Sequence, residues 1–204
     1  MRVIGLTGGI ASGKNLVARV LGELGGVIID ADQLAREVVV PGEPAYMAIV
    51  NEFGKEILNP DRTLNRKALA KIIFANPDAR HSLERITHPA IARKAEQKLA
   101  ALREEGARVV VYMAPLLIEA GATARVDEIW VVFADPETQV ERLMLRDGIS
   151  REDALQRISA QMPMEEKRKL ARIVIDNRGT PEETEQRVRE IWKREITWAA
   201  SKDD

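Results

Sequence analysis

The sequence predicts an α/β fold, in which a parallel β-sheet is covered by helices on both faces. The sequence contains short apolar runs that are continuous rather than alternating with polar residues. Helical patterns separate these runs, and a glycine pair follows the first run. The five runs are residues 3–7, 27–29, 109–113, 129–133 and 173–175. Continuous apolar runs are typical of strands buried on both sides, so we expect a five-stranded parallel sheet.

The first strand and the first helix enclose a Gly-rich turn. The strand ends at Gly8 and Gly9, and from residue 14 to residue 24 the apolar side chains recur at helical spacing. The members of this helical stripe are Leu16, Val17, Val20, Leu21 and Leu24. A second glycine pair at 25–26 ends the helix, and the second strand follows at 27–29.

Two segments interrupt the alternation of strands and helices. Between residues 31 and 105 no strand pattern occurs, and the segment is divided by four turn signals, at Pro41-Gly42, Asn59-Pro60, Asn76-Pro77 and His88-Pro89. We therefore expect several helices there, in an inserted helical subdomain. Segment 139–171 is rich in arginine and lysine and has few large apolar residues, which favours a covering segment over core.

Composition limits the possible functions. The chain has 204 residues, a formal net charge of −1, no cysteine and two histidines. The balanced charge gives no global attraction for nucleic acid or an anionic membrane, and the missing thiols exclude disulfides and sulfur-based zinc sites. The N-terminus lacks the pattern of a signal peptide, and no apolar run approaches the ~20 residues of a membrane span. We expect a cytoplasmic protein.

One motif predicts a phosphate-binding loop. Gly8, Gly13 and Lys14 fit the pattern G-x-x-x-x-G-K between a predicted strand and a predicted helix, which is the context that the motif requires. The glycines let backbone N–H groups surround a phosphate, the helix N-terminus adds its positive dipole end, and Lys14 brings a cation to the β- and γ-phosphates. The residues predicted to bind the nucleotide are Gly9, Ile10, Ala11, Ser12, Gly13, Lys14, Asn15 and Leu16.

Position 15 departs from the motif, which has Ser or Thr there as a Mg²⁺ ligand. The residue is Asn15, whose amide oxygen is also a hard ligand, so we predict that Asn15 contacts the metal ion. Its longer side chain displaces the oxygen, and a non-catalytic ATP-binding protein is therefore the alternative from another functional class.

Taken in order along the chain, further motifs resemble those of the dephospho-coenzyme A kinase family. Besides the phosphate loop they are segments 30–32 (DAD), 86–89 (ITHP), 115–119 (PLLIE), 161–163 (QMP) and 175–177 (IDN). The resemblance covers essentially the whole chain. It implies ATP- and Mg²⁺-dependent phosphorylation of the ribose 3′-hydroxyl of dephospho-CoA, the last step of coenzyme A synthesis. A nucleoside or nucleotide kinase is the alternative within the class, because the phosphate loop cannot distinguish the two.

The resemblance also implies an architecture. The implied architecture is similar to that of other P-loop NTPases of the nucleotide-kinase type, with strand order 2-3-1-4-5. The nucleotide-binding core would comprise residues 1–30, 106–138 and 172–204, the helical substrate domain residues 31–105, and the lid residues 139–171. We expect a monomer or weak homo-oligomer whose partner is the small molecule dephospho-CoA, with no nucleic acid and no membrane.

Two aspartates follow the second strand, where ligands of open parallel sheets gather. Phosphoryl transfer to an alcohol needs a carboxylate that orients the hydroxyl and accepts its proton. The resemblance favours Asp32 as this base and as a substrate-binding residue, with Asp30 nearer the metal or structural. The alternative is that both are turn and helix-capping residues.

The remaining candidates rest on the resemblance. It places His88 and Leu116 in the substrate-binding set, Arg146 as a catalytic lid arginine, Arg142 as a weaker nucleotide contact, and Asn177 at the adenine. The alternatives are that His88 is structural, that Arg142 and Arg146 lie on a solvated helix face and pair with Glu141 and Asp147, and that Asn177 is a turn residue. The family often has arginine at the position of Ala92, where Arg93 follows instead.

Overall fold

The protein is described by a computed structural model that covers residues 1–197. Its central feature is a five-stranded sheet with the order β2-β3-β1-β4-β5. The strands are β1 (Arg2–Thr7), β2 (Val27–Asp30), β3 (Val109–Met113), β4 (Glu128–Phe133) and β5 (Ile173–Asp176). The predicted parallel sheet and its strand order are confirmed.

The phosphate-loop strand lies at the centre of the sheet. β1 pairs in parallel with β3 on one side and with β4 on the other, so that Ile4 is in register with both Val111 and Glu128. β4 in turn pairs in parallel with β5. β1, β3 and most of β4 are buried on both faces, as continuous apolar runs predict, whereas the edge strands β2 and β5 are partly exposed.

The described residues form nine α-helices. They are α1 (Lys14–Glu23), α2 (Ala31–Glu37), α3 (Pro44–Phe53), α4 (Arg66–Ala75), α5 (Pro77–Glu104), α6 (Pro136–Asp147), α7 (Arg151–Ser159), α8 (Met164–Lys169) and α9 (Pro181–Trp192). Several begin at side-chain caps that the sequence contains. Asp135 caps α6, Ser150 caps α7, and Thr180 forms a capping box with Glu183 at α9.

The described residues divide into two compact units, residues 1–29 with 105–197, and residues 30–104. The second unit consists of α2 to α5 and a short 3₁₀ turn, Lys55–Ile57, around its own apolar core. Fully buried Ile49 and Ile57 lie at the centre of that core. The assignment of these units to nucleotide and substrate binding stays a prediction.

One predicted helix boundary is wrong. The pair His88-Pro89 predicts a break between two helices. In the structure, α5 is a single helix of 28 residues that continues through Pro89. Proline removes one backbone donor and costs about 3 kcal/mol inside a helix. The buried residues Ala90, Ala95 and Leu99 lie beyond the proline, and we attribute the continuity to their packing.

The segment predicted as a lid, 139–171, contributes more core than its composition indicates. Val140, Leu143 and Ala154 form an apolar cluster against which Ile10 of the phosphate loop packs. Met164 packs in a second cluster with residues of β4. Other apolar side chains of the segment, such as Leu145 and Leu170, are exposed, so its core contribution comes from these few buried residues. Whether this segment closes over a nucleotide stays a prediction.

Within residues 1–197, no helix combines the length and the apolar character that crossing a membrane requires.

Candidate active site

The phosphate loop has a backbone that only particular residues can adopt. Gly13, the N-cap of α1, has φ of 91° and lies in the left-handed region. A Cβ at this position would lie 1.9 Å from Nδ2 of Asn177, so both the backbone conformation and the available space require glycine. Ala11 also has positive φ, at 57°. A non-glycine residue in this region is uncommon and such strain is concentrated at functional sites.

The N-terminus of α1 is suited to an anion. Among the described residues, no side chain caps this helix, and its first turn holds no acidic residue. The helix dipole and the first N–H groups therefore favour a bound phosphate. The hydroxyl of Ser12 is buried and has no hydrogen-bond partner within the described chain. These features fit the polyphosphate of a nucleotide.

Lys14 lies at the start of α1 and folds back over the loop. Its Nζ donates hydrogen bonds to the carbonyl oxygens of Gly8, at 2.8 Å, and Gly9, at 3.0 Å. These bonds hold the ammonium group directly beside the loop that the motif assigns to phosphate. A cation there stabilises the charge of the β- and γ-phosphates.

Three side chains from outside the motif hold the first half of the loop. The N–H of Ile10 donates to Oε1 of Gln161 at 2.7 Å, and its carbonyl accepts from Nε2 of Gln139 at 2.6 Å. The N–H of Gly9 donates to Sδ of Met164 at 3.0 Å. None of these three side chains was among the predicted site residues. Only Gln161 had a signal, as part of the motif at 161–163.

Asn177 lies under the phosphate loop. Its side chain is buried, its Nδ2 donates to the carbonyl of Ser12 at 2.6 Å, and its Oδ1 accepts from the hydroxyl of Thr184 at 2.6 Å. Both ends of the amide are thus occupied by protein groups. This arrangement favours a role for Asn177 in holding the phosphate loop, rather than the predicted contact with adenine.

Asn15 is exposed in the first turn of α1, next to Lys14. Its amide oxygen is a hard ligand of the kind that Mg²⁺ accepts. The described residues contain no group of three or more His, Cys, Asp or Glu side chains that could hold a metal.

The two aspartates after β2 differ in their surroundings. Oδ1 of Asp30 accepts hydrogen bonds from the N–H groups of Asp32, at 2.8 Å, and Gln33, at 3.4 Å. Asp30 is therefore the N-cap of α2. Asp32 lies in the first turn of that helix and is exposed to solvent. The structure thus favours the structural interpretation for Asp30 and leaves Asp32 as the candidate base.

The other predicted substrate contacts are exposed. His88 lies in α5 directly before Pro89 and is exposed. Leu116 follows β3 and is 46% exposed. Arg93 lies in the part of α5 after the proline.

The two predicted arginines of α6 have unequal environments. Nη1 of Arg142 is buried without a hydrogen-bond partner in the described chain, which agrees with a side chain directed at a ligand. Arg146 pairs with Asp147, with 2.7 Å between Nε and Oδ1. The hydrogen bond from Arg146 lowers the pKa of the Asp147 carboxyl, and the same bond raises the pKa of Arg146. Arg146 therefore shows the ion pair that the surface interpretation predicts.

Comparison with known proteins decides the family. The family model of dephospho-CoA kinase matches residues 2–183. A dephospho-CoA kinase of Geobacter metallireducens is 64% identical over 196 residues, which covers 96% of this chain and 98% of the relative. The chain belongs to the dephospho-CoA kinase family. It is accordingly a kinase, and the resemblance inferred from the motifs is confirmed.

Solved structures give the same result for the fold. A dephospho-CoA kinase from Campylobacter jejuni superposes with a TM-score of 0.73 at 28% identity, covering 95% of this chain and 97% of that one. A crystal structure from Thermus thermophilus superposes with a TM-score of 0.81 at 36% identity, covering 96% and 97%. The match to the dephospho-CoA kinase model spans both compact units, so the helical unit is part of what defines the family.

Proposed function

We propose that the protein transfers the γ-phosphoryl group of ATP to the ribose 3′-hydroxyl of dephospho-CoA and so completes coenzyme A. The observation that carries this proposal is the uncapped N-terminus of α1 with Lys14 beside it, in a chain that matches the dephospho-CoA kinase model. The first unit supplies the donor site, and the helical unit at 30–104 supplies acceptor contacts.

The donor site acts through fixed charge and fixed geometry. The N–H groups of the phosphate loop and the α1 dipole hold the β- and γ-phosphates, and the ammonium of Lys14 neutralises charge that develops on the transferred group. Mg²⁺, when bound, would neutralise further charge on the phosphate oxygens, and the amide oxygen of Asn15 would be a side-chain ligand for it. Asn177, Gln139 and Gln161 fix the loop without touching the nucleotide.

Asp32 is the proposed catalytic base at the acceptor. Its carboxylate orients the ribose 3′-hydroxyl and accepts the proton that leaves as the oxygen attacks the γ-phosphorus. Asp30 maintains the start of α2, on which Asp32 is placed. His88 and Leu116 contribute to binding dephospho-CoA, at exposed positions that a ligand can cover.

The segment 139–171 is the proposed lid. Arg142, with its unpartnered nitrogen, contacts the nucleotide phosphates, and Arg146 acts as a catalytic arginine if it leaves Asp147 when ATP binds. Closure over the reactants excludes water, which would otherwise hydrolyse ATP.

The reaction is tested by supplying purified protein with ATP, Mg²⁺ and one acceptor at a time. We expect conversion of dephospho-CoA to coenzyme A in preference to adenosine and nucleoside monophosphates, with the new phosphate located at the 3′-oxygen by NMR. Equal or better turnover of a nucleoside monophosphate would favour the alternative of a nucleotide kinase. Binding of ATP with no turnover of any acceptor would favour the non-catalytic alternative that Asn15 suggests.

The cellular setting follows from the same assignment. A balanced charge and a small-molecule substrate support action in the cytoplasm without nucleic acid or membrane partners, as a monomer or weak homo-oligomer. Sedimentation of the purified protein at several concentrations checks the oligomeric state.

A further inference from the structure

A lysine that the proposed reaction does not use is completely buried beside the phosphate loop. The side chain of Lys167, on α8, is 0% exposed, whereas Arg168 and Lys169 next to it are 44% and 68% exposed. Burial of an ammonium group is costly unless the group is paired and hydrogen-bonded. The contacts of Lys167 therefore indicate what its position achieves.

Those contacts all go to the loop that follows β3. Nζ of Lys167 donates to the carbonyl of Pro115 at 2.9 Å and pairs with Oε1 of Glu119 at 2.8 Å. The hydroxyl of Thr7, at the end of β1, donates to the same Pro115 carbonyl at 3.1 Å. Oε1 of Glu119 also accepts from the N–H of Met162 at 3.2 Å. Lys167 thus fastens both ends of residues 115–119.

The stretch that carries Lys167 also holds the phosphate loop, through different residues. Gln161 and Met164 accept the N–H groups of Ile10 and Gly9. Residues 161–167 therefore connect two loops at the carboxyl ends of neighbouring strands, β1 and β3. The work is divided, because Gln161 and Met164 contact the donor loop and Lys167 contacts residues 115–119.

We propose that Lys167 is a positioning residue that fixes the loop at 115–119 for acceptor binding. This inference rests on the proposed function, because Leu116 in that loop belongs to the proposed acceptor contacts. Lys167 touches no reactant and acts through Pro115 and Glu119. Since the contacts to the phosphate loop are made by other residues, loss of the ammonium group changes use of the acceptor more than use of ATP.

The test is Lys167→Met, which keeps an unbranched side chain and removes the charge. We expect KM for dephospho-CoA to rise at least about fivefold while KM for ATP stays within about twofold. We also expect Tm to fall, because removing only the lysine leaves the Glu119 carboxylate and the Pro115 carbonyl without their buried partner. The matched control is Lys169→Met on the same helix, which removes an exposed ion pair with Glu166 and should leave both KM values unchanged.

A second measurement does not depend on turnover. Hydrogen exchange of the amides at 116–122, without substrates, should be faster in Lys167→Met than in the unaltered protein and unchanged in Lys169→Met. If the unaltered protein does not phosphorylate dephospho-CoA, the proposed function fails, and exchange still reports whether Lys167 fixes the loop.

Two results would overturn the inference. One is unchanged exchange at 116–122 together with unchanged KM for the acceptor. The other is an equal rise of both KM values, which is the signature of a purely structural lysine. If Lys167→Met does not fold, Glu119→Gln tests the same contact from a side chain that is 22% exposed. There we expect the same asymmetry, at about threefold, and equal KM changes would refute the positioning role.

Discussion

At the scale of single residues, Asp30 and Asp32 provide a matched pair for testing the base. Asp32→Asn keeps the shape of the side chain but cannot accept a proton, so kcat should fall by about 10²-fold or more with ATP affinity nearly unchanged. Asp30→Asn is the control, because asparagine caps helices as well as aspartate does and the cap of α2 is retained. Steady-state kinetics of both variants decide the matter: if Asp32→Asn stays within about threefold of the unaltered enzyme, Asp32 is only a turn residue.

Asn15 is a second residue whose chemistry can be isolated. Mg²⁺ tolerates poor octahedral geometry badly, and the amide of asparagine places its oxygen farther from the helix axis than a hydroxyl. Asn15→Thr should therefore lower the Mg²⁺ concentration for half-maximal rate and raise kcat at least about twofold, with little change in ATP affinity without metal. Asn15→Ala, which has no oxygen, should shift the Mg²⁺ titration the other way. An unchanged titration for Asn15→Thr would show that the native amide is an adequate ligand.

At the scale of secondary-structure elements, Glu128 links the start of β4 to two arginines. Its side chain is 7% exposed, pairs with Arg2 at 2.7 Å and with Arg172, and accepts from the indole of Trp130. Burial by itself raises the pKa of the Glu128 carboxyl, but the hydrogen bonds from the two guanidinium groups outweigh it and lower the pKa below its ordinary value.

A lowered pKa in the folded state means that this carboxylate stabilises the fold above its unfolded-state pKa and that the contribution is lost as pH falls through the folded-state pKa. Glu128→Gln should reduce the free energy of unfolding by about 1–3 kcal/mol near neutral pH, and the difference from the unaltered protein should shrink in acid. Urea denaturation across a pH series measures it. Glu166→Gln, at an exposed pair on α8, should change stability by less than about 0.5 kcal/mol. A difference that grew in acid would refute the sign.

The elements also show what local patterns can and cannot predict. Apolar runs predicted every strand, because even the partly exposed edge strands β2 and β5 direct apolar side chains such as Ile29 and Ile175 into the core. The helix break predicted at His88-Pro89 does not occur. The prediction failed because a local stretch of sequence does not show the packing of the residues beyond the proline. Gln139 and Met164 were missed for a similar reason. Their contacts with Ile10 and Gly9 join residues more than a hundred positions apart, and neither residue type carries a phosphate-binding signal.

At the scale of the whole molecule, ligand binding should appear as stability. A ligand that binds only the folded state, at about a hundred times its Kd, adds about 2.7 kcal/mol to the free energy of unfolding. We expect ATP to raise Tm of the unaltered protein, and Lys14→Ala to lose most of this rise and most of the activity, since the ammonium acts where phosphate charge is concentrated. Thermal denaturation with and without ATP measures the effect, with Lys169→Ala as the control. A full ATP-induced rise in Lys14→Ala would mean that the nucleotide binds elsewhere.

The fold and the family could be predicted from the sequence, and the division of labour within the site could not. The phosphate loop is a contiguous motif, so Gly13 and Lys14 were recognisable without any tertiary information. Asn177 was predicted as a site residue. Its contact with the Ser12 carbonyl could not be predicted, because it depends on the strand order, in which β4 lies between β1 and β5. Lys167 carried no signal, because a lysine among exposed basic residues on a short helix is ordinarily solvated.

The left-handed backbone at position 13 also constrains how the gene can vary. Any side chain there meets both an unfavourable φ and the Asn177 amide at 1.9 Å, so no missense change of that codon is neutral. Position 11, with φ of 57°, already accommodates a methyl group, and glycine would relieve its strain. Two codons separated by one other, in the same loop, therefore differ in mutational tolerance. Neutral substitutions in the phosphate loop are therefore expected at residue 11. At residue 13 a substitution would also require a change at position 177 and a different backbone conformation.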